Sequence, residues 1–244
     1  MVFHHHNKTL PRDISLMLNN ESIERVQNFD FLGIMLNENL SWKSHIHKIA
    51  NKIARNNGIL NKLKHFLLRH VLHILYYSMI HCHLNYSILN WGNETNRLVK
   101  LQKKSIRILA GARHNAHSEP LFKKFKILNI RDLLYLNTLK FYYKLCNNKL
   151  PSYFLTYKLE PQLRIHDHFT RGNNIIPGNI TRTKFAQLSL RNKLPTIINK
   201  TNKSILEKVH THSLNGFSEY IKNKILNDYN TECNVVNCYV CHNN

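Results

Sequence analysis

Acidic residues are scarce in this 244-residue chain: 14 Asp and Glu stand against 35 Lys and Arg, a formal net charge of +21. Such an excess repels itself in isolation and suits a polyanionic partner. Cysteine is sparse too, five residues in all, three of them among the last twelve. That is not the even, spread framework that staples secreted domains. No apolar signal-peptide core precedes a small-residue cleavage site at the N-terminus, so the sequence points to a cytoplasmic or nuclear location and away from secretion. Long hydrophobic runs are absent as well. The best candidate for a membrane span, Leu72 to Trp91, is interrupted by His73, His81, His83, Asn85 and Asn90, and falls short of the roughly 18 to 20 apolar residues a span needs. Nucleic acid is therefore a better polyanion for this chain than a membrane. No fixed-period repeat is present.

Apolar residues make up 43% of the chain, enough to bury a core. Short apolar runs with turn chemistry between them occupy the first forty residues: Ile14 to Leu18, the Asn19-Asn20 pair, Ile23 to Val26, then Phe29 to Met35. Asn tolerates positive φ, so this pattern predicts a hairpin followed by a third strand. Three strands alone make a marginal sheet, one expected to lie against the helices or at the edge of something larger.

From Trp42 the period changes. Ile46, Ile49, Ile53, Leu60, Leu63 and Leu67 recur at helical spacing and form one stripe. Lys48, Lys52, Arg55 and Lys62 fall together on another face, a basic ridge on an amphipathic helix. Asn56 and Gly58 suggest a kink or break within it. The arrangement repeats from Glu94 to Ala110. There Leu98, Leu101, Ile108 and Leu109 face one way, and Arg97, Lys100, Lys103, Lys104 and Arg107 another, with Gly111 as a C-cap. Val71 to Trp91 supplies central packing helices, and Ile130 to Cys146 a further helix that Pro151 ends. Beyond Tyr157 the prolines at 161, 177 and 195 and the glycines at 172 and 178 predict loops and short elements, then a helix near Ile205 to Leu226.

Phe29-Asp30-Phe31-Leu32-Gly33-Ile34, followed by Leu40-Ser41-Trp42-Lys43-Ser44-His45-Ile46, resembles the segment after the catalytic strands in reverse transcriptases of jockey-like non-LTR retrotransposons. Similarity continues through Leu75-Tyr76-Tyr77-Ser78, His81-Cys82-His83-Leu84-Asn85-Tyr86, Asn90-Trp91-Gly92, Leu101 to Arg107, and Glu119-Pro120-Leu121-Phe122 to Leu150-Pro151. It covers about the first 155 residues in ordered blocks. It departs at Cys82 and Ser87, where the family pattern has Pro and Gly.

The resemblance implies three parts: residues 1–40 as the end of the palm with Phe31-Leu32-Gly33 as a primer-grip turn, 41–155 as the helical thumb, and 156–244 as a basic C-terminal extension. It implies an RNA or DNA template-primer duplex as partner, held through phosphates by Lys48, Lys52, Arg55, Lys62, Lys100, Lys103, Lys104 and Arg107, and contact with the missing palm. The expected fold is mainly α, a thumb-like bundle behind a small N-terminal antiparallel β element.

Polymerase chemistry needs carboxylates converging on divalent metal ions, and in this family they include an adjacent Asp pair. No Asp-Asp occurs here; Asp13, Asp30, Asp132, Asp167 and Asp228 stand singly. The sequence is expected to begin after the active site and not to polymerise alone, magnesium belonging to the intact parent polymerase. The dyads His45-x-His47, His81-x-His83 and His210-x-His212 hint at metal, yet residues two apart on a helix point about 200° from one another. A metal-dependent hydrolase is the least favoured reading. Cys233, Cys238, Cys241 and His242 are a better set for zinc, with His212 as another fourth ligand, against free thiols at the chain end. The alternatives to a reverse-transcriptase fragment are a stand-alone basic helical RNA- or DNA-binding module and a protein-interaction module whose apolar helices meet another chain.

Overall fold

The computed structural model describes residues 1–4, 8, 16–93, 95–157, 159, 176–178 and 180–229. The protein is mainly α, with antiparallel β structure confined to the N-terminal part among those residues. Strands β1 (Leu16–Leu18) and β2 (Glu21–Ile23) pair around Asn19 and Asn20, at φ 51° and 64°. Two positive φ angles make the turn whose twist matches that of the strands. The expected third strand is instead a second hairpin, β3 (Asn28–Phe31) and β4 (Ile34–Asn37), because Leu32 and Gly33 both take positive φ, 49° and 79°. The two hairpins are separate two-stranded sheets.

Helix α1 (Lys43–Leu63) runs without a break through Asn56 and Gly58, contrary to the expected kink. An Asn weakens a helix by bonding its own backbone. Here the Asn56 amide donates to Met79 O, and the Asn57 amide donates to Leu101 O at 3.1 Å and accepts from Ser105 Oγ at 2.7 Å. Helix α2 (Arg69–Tyr76) continues through a π turn (Tyr77–His81) into α3 (Cys82–Asn85), then α4 (Ile88–Trp91), which starts at Ser87 in the left-handed region, φ 53°. Helix α5 (Asn96–Ala110) ends at Gly111, φ 66°. Asn51 meets Arg97 and Asn57 meets Leu101 and Ser105, so α1 and α5 run side by side in one direction. Helix α6 (Glu119–Lys124) follows, then α7 (Ile130–Cys146), capped by Asn129, whose side chain accepts from the amides of Arg131 and Asp132.

That helix ends before the expected Pro151, at Asn147 and left-handed Asn148, φ 51°, with Lys149 N donating to Lys144 O; Pro151 opens a 3₁₀ turn, Ser152–Thr156. Then come α8 (Lys184–Leu188), α9 (Leu190–Lys200), α10 (Lys203–Leu206), α11 (Lys208–Thr211) and α12 (Leu214–Asp228). Pro195 does not break structure as expected but lies inside α9, buried. A single Pro removes one backbone bond, and Leu194 and Ile198 on either side of it pack with Phe141 of α7. The helix expected from Ile205 to Leu226 is three pieces, α10 and α11 parting at Glu207, and α12 starting afresh where Ser213 turns the chain and caps it by accepting from Gly216 N.

One core joins α1, α2, α4, α5, α6 and the start of α7, with Trp91, Tyr76 and Ile53 fully enclosed. A second joins α7 to α12 through Leu139, Tyr143, Phe217 and Ile221. Tyr229, just past α12, accepts from Asn129 N and donates to Asp132, pinning the end of that segment onto the start of α7. Burial raises the Asp132 carboxyl above its usual range, opposed by those hydrogen bonds.

Gln102, fully buried, donates to Tyr76 Oη at 3.0 Å and Leu128 O at 2.9 Å, and accepts from Ile130 N at 2.9 Å. Gln102→Leu keeps the volume but strands these groups, each costing about 1–3 kcal/mol. Urea unfolding is expected to show a loss of about 3 kcal/mol or more; a loss under about 1 kcal/mol would refute the role given to this amide. His81 offers a pH test. Burial, helped by the charges of Lys222 and Lys140, pushes it from 6.5 down to about 4. The folded protein keeps it neutral while the unfolded chain protonates it near 6.5. Its contribution is therefore complete above that pH and lost as pH falls toward 4, roughly 3 kcal/mol in all. Replacing His81 with Gln should flatten the fall in unfolding free energy between neutral and acid pH, and an unchanged slope would exclude it.

Candidate nucleic-acid interface

The turn Leu32-Gly33 is held from two sides. Tyr86, at the end of α3, donates its hydroxyl to Leu32 O at 2.6 Å, across 54 positions of sequence. On the other side Met35 N of β4 donates to Nδ1 of His45 on α1 at 3.2 Å. His45 is 2% exposed and sits edge-on to Trp42 and Trp91, ring centroids 6.3 and 5.8 Å away. Its pKa is lowered by burial first and then by Lys48, with Asp30 opposing, so the ring is neutral near pH 7. The tip of the hairpin stands out: Leu32 is 74% and Phe31 54% exposed.

Beneath the turn lies a hollow of about 200 Å³ lined by Leu32, Gly33, His45, Lys48, Lys52 and His83, with Ile49 and Tyr86 completing it. The structure thus brings together Leu32, Gly33, Lys48 and Lys52 from two separate parts of the expected site. Phe31 is next to them on β3. Lys48 forms an ion pair with Asp30, whose carboxyl is lowered chiefly by that hydrogen bond. Part of the first ridge is thereby neutralised from within.

Arg55 and Lys62 lie on the same helix and are exposed. Lys62 is ten residues past Lys52, about 15 Å along the axis. On α5, Lys100 and Lys104 are exposed and Lys103 is half-buried. Arg107 is committed elsewhere: its Nε donates to Ala116 O at 2.7 Å, tying down the segment after α5, and burial lowers its pKa. Arg97 reaches Asn51 Oδ1 at 3.5 Å. The opposite face of α5 buries Gln102, Ser105 and Ile106 as well as the expected Leu98, Ile108 and Leu109, while Leu101 is only half-buried. Sequence reasoning missed His45, Tyr86, His83 and Asp30. All four lay within the resembling blocks, and the two histidines were weighed there only as members of metal dyads, but their roles are contacts with distant residues and leave no local signal.

The paired histidines do not share sites: His45 is buried against Met35, while His47 is exposed beside Asn51. Among the described residues no three His, Cys, Asp or Glu side chains converge as metal ligands. Cys233, Cys238, Cys241 and His242 lie outside the described residues. No helix among the described residues is long and apolar enough to cross a membrane. A larger cleft of about 490 Å³ opens where α4, α7 and α9 meet, with Trp42, Phe154, Tyr157, Phe185 and Arg191 among its walls. None of the expected basic-ridge residues lines it. No protein-family model, curated protein or solved structure matches the chain.

Gly33 at φ 79° needs glycine for its backbone, not for space, since an added Cβ would meet only Tyr86 Cε1 at an ordinary 3.8 Å. Gly33→Ala is expected to cost about 1 kcal/mol, and Gly33→Asn less, because Asn tolerates this region better. Equal stability of all three proteins in thermal unfolding would contradict the strain assigned to the turn.

Proposed function

We propose that the chain binds an RNA or DNA template-primer duplex through the β3–β4 turn and the basic faces of α1 and α5, as the primer-grip and thumb part of a non-LTR retrotransposon reverse transcriptase. The observation that carries this reading is the hollow where the turn Leu32-Gly33 meets Lys48 and Lys52. The resemblance pointed to the turn and helical periodicity to the lysines, and the two share one site. Exposed Arg55, Lys62, Lys100 and Lys104 extend the positive surface along two adjacent helices. Phosphate contacts of this kind are indifferent to base sequence.

The two departures from the family pattern also support the reading. Ser87, in place of the family's Gly, has φ 53°, a conformation that favours glycine. Cys82, in place of its Pro, follows the π turn, and its N–H makes the wide bond to Tyr77 O, a place where losing a regular helical donor matters least. The β1–β2 hairpin leaves Leu16, Met17, Leu18 and Ile23 exposed, and such strands fit a palm sheet that continues beyond them. Catalysis is left to that palm. Asp30 is paired with Lys48, and Asp132 is bound to Tyr229 and Asn129 at the start of α7. These carboxylates serve two separate structural ends.

Binding should weaken steeply as salt rises, by about 0.9 in log K per log unit of salt for each phosphate neutralised. Replacing Lys48, Lys52 and Arg55 together with Ala is expected to lower that slope by about 2, not 3, because Lys48 is already paired with Asp30; α1 should persist, Ala being the best helix former. Fluorescence anisotropy with an RNA–DNA duplex measures this. Identical binding by the triple variant at every salt concentration would sink the assignment, as would primer extension by the chain alone.

A further inference from the structure

The corner between α1 and α2 presents an apolar tip inside a cationic collar. Phe66 is 85% and Leu68 69% exposed. The turn that holds them is hydrogen-bonded throughout: Lys64 N donates to Leu60 O at 2.9 Å, Phe66 N and Leu67 N to Leu63 O at 3.0 Å, and Val71 N to Leu68 O at 3.0 Å. Leu63 and Leu67 pack against the first core, and that anchoring leaves Phe66 and Leu68 outside. Lys62, His65, Arg69 and His70 are exposed around the tip, and Lys64 is half-buried. Lys62, Lys64 and Arg69 make no ion pair among the described residues, and no Asp or Glu occurs between Glu38 and Glu94. A large aromatic ring held in water among unopposed cations marks a contact surface for a partner that is both anionic and apolar.

Nucleic acid and an anionic bilayer both answer to that description, and position favours the first. Lys48, Arg55 and Lys62 are spaced seven apart, within about 20° of one line down α1. Phe66 follows Lys62 by one turn of chain, its amide still bonded back to Leu63 O. The tip therefore ends the basic face that is proposed to follow the duplex. It is also remote from the hairpins that a palm sheet would continue. Asp30 and Met35 fix the β3–β4 hairpin to Lys48 and His45, at the other end of α1, and the helical rise from Lys48 to Phe66 amounts to about 27 Å, or about eight base pairs. We infer that the α1–α2 tip is a wedge for nucleic-acid bases: Phe66 inserts against a base of the duplex lying along α1, while Lys62, Lys64 and Arg69 hold the phosphates on either side. Apolar wedges of this kind unstack a base step and bend the duplex, and the wide, shallow minor groove of an A-form duplex admits one. The inference rests on the nucleic-acid reading and adds to it a contact with bases, which phosphate-binding ridges do not make.

The test uses the full chain and an RNA–DNA duplex of about sixteen base pairs, twice that span, with 2-aminopurine placed at successive positions. The fluorescence of this base rises when it is unstacked, and a rise is expected at one position or two adjacent ones. Phe66→Ser should remove the rise and weaken binding about tenfold, the size of one aromatic contact with a base, without changing the salt slope, since no charge is lost. Phe66→Trp should retain both the rise and the affinity. Phe66 lies outside the buried clusters, so these variants should unfold at the temperature of the parent chain. Lys64→Met together with Arg69→Met should lower the salt slope by about 2, and an unchanged slope would strike the collar from the site. Duplex bound equally well by Phe66→Ser, or a fluorescence rise that persists in it, would overturn the wedge and leave the proposed function standing. Vesicles of anionic phospholipid form the second arm. Retention on them that depends on Phe66, with no fluorescence rise on duplex, would give the tip to a membrane and overturn the wedge likewise. Failure of the parent chain to bind any duplex would reject the proposed function itself, and the wedge with it.

Discussion

The side-chain amide of Gln102 lies out of reach of solvent and bonds Tyr76 on α2, the backbone at Leu128 and the first amide of α7. A buried amide with every partner present specifies one arrangement of the helices around it, because any shift leaves polar groups unpaired in a low-dielectric interior. Asn57 plays the matching part between α1 and α5, bonding Leu101 and Ser105. Apolar stripes alone would allow these helices to slide by a turn at little cost. The two amides set that register, while the contacts of Met35 with His45 and of Asp30 with Lys48 hold the β3–β4 turn beside α1.

Backbone irregularity does the rest of the positioning. The chain from α2 to α4 passes through a π turn and then through left-handed Ser87. The break after α3 leaves Tyr86 at its end, with its carbonyl accepting from Trp91 Nε1 at 3.0 Å and its hydroxyl reaching Leu32. One residue therefore couples the buried indole of Trp91 to the exposed tip of the hairpin. Rigidity at a turn that stands out from the surface comes from this clamp and from His45 beneath it, since the hairpin itself has only four residues in each strand.

Charge is distributed with the same economy. Ion pairs among the described residues join Glu38 to Arg25 and Asp30 to Lys48, both around the second hairpin. Arg55, Lys62, Lys100 and Lys104 are left facing solvent, a state that costs self-repulsion and is relieved by a polyanion. Other ridge residues are committed within the protein: Lys48 to Asp30, Arg97 to Asn51, and Arg107 to Ala116 O, holding the segment after α5.

Much of this was legible in the sequence. Periodicity identified α1 and α5, apolar density α7, and the conformational freedom of Gly and Asn the Gly111 cap and the Asn19-Asn20 turn, because each depends on residues close together in the chain. The same logic separated the basic faces from the buried ones. What it misjudged depended on partners far away in the chain: Asn56 looks like a helix breaker until Met79 O receives its amide, and Pro195 looks like a stop until Leu194 and Ile198 seat α9 on Phe141. The hollow beneath the turn belongs to the same class. Its walls come from β3–β4, α1 and α3, and the sequence determined only that a turn and a basic helix exist. Their meeting follows from packing, which is an interaction between segments and leaves no trace in the order of residues within either one.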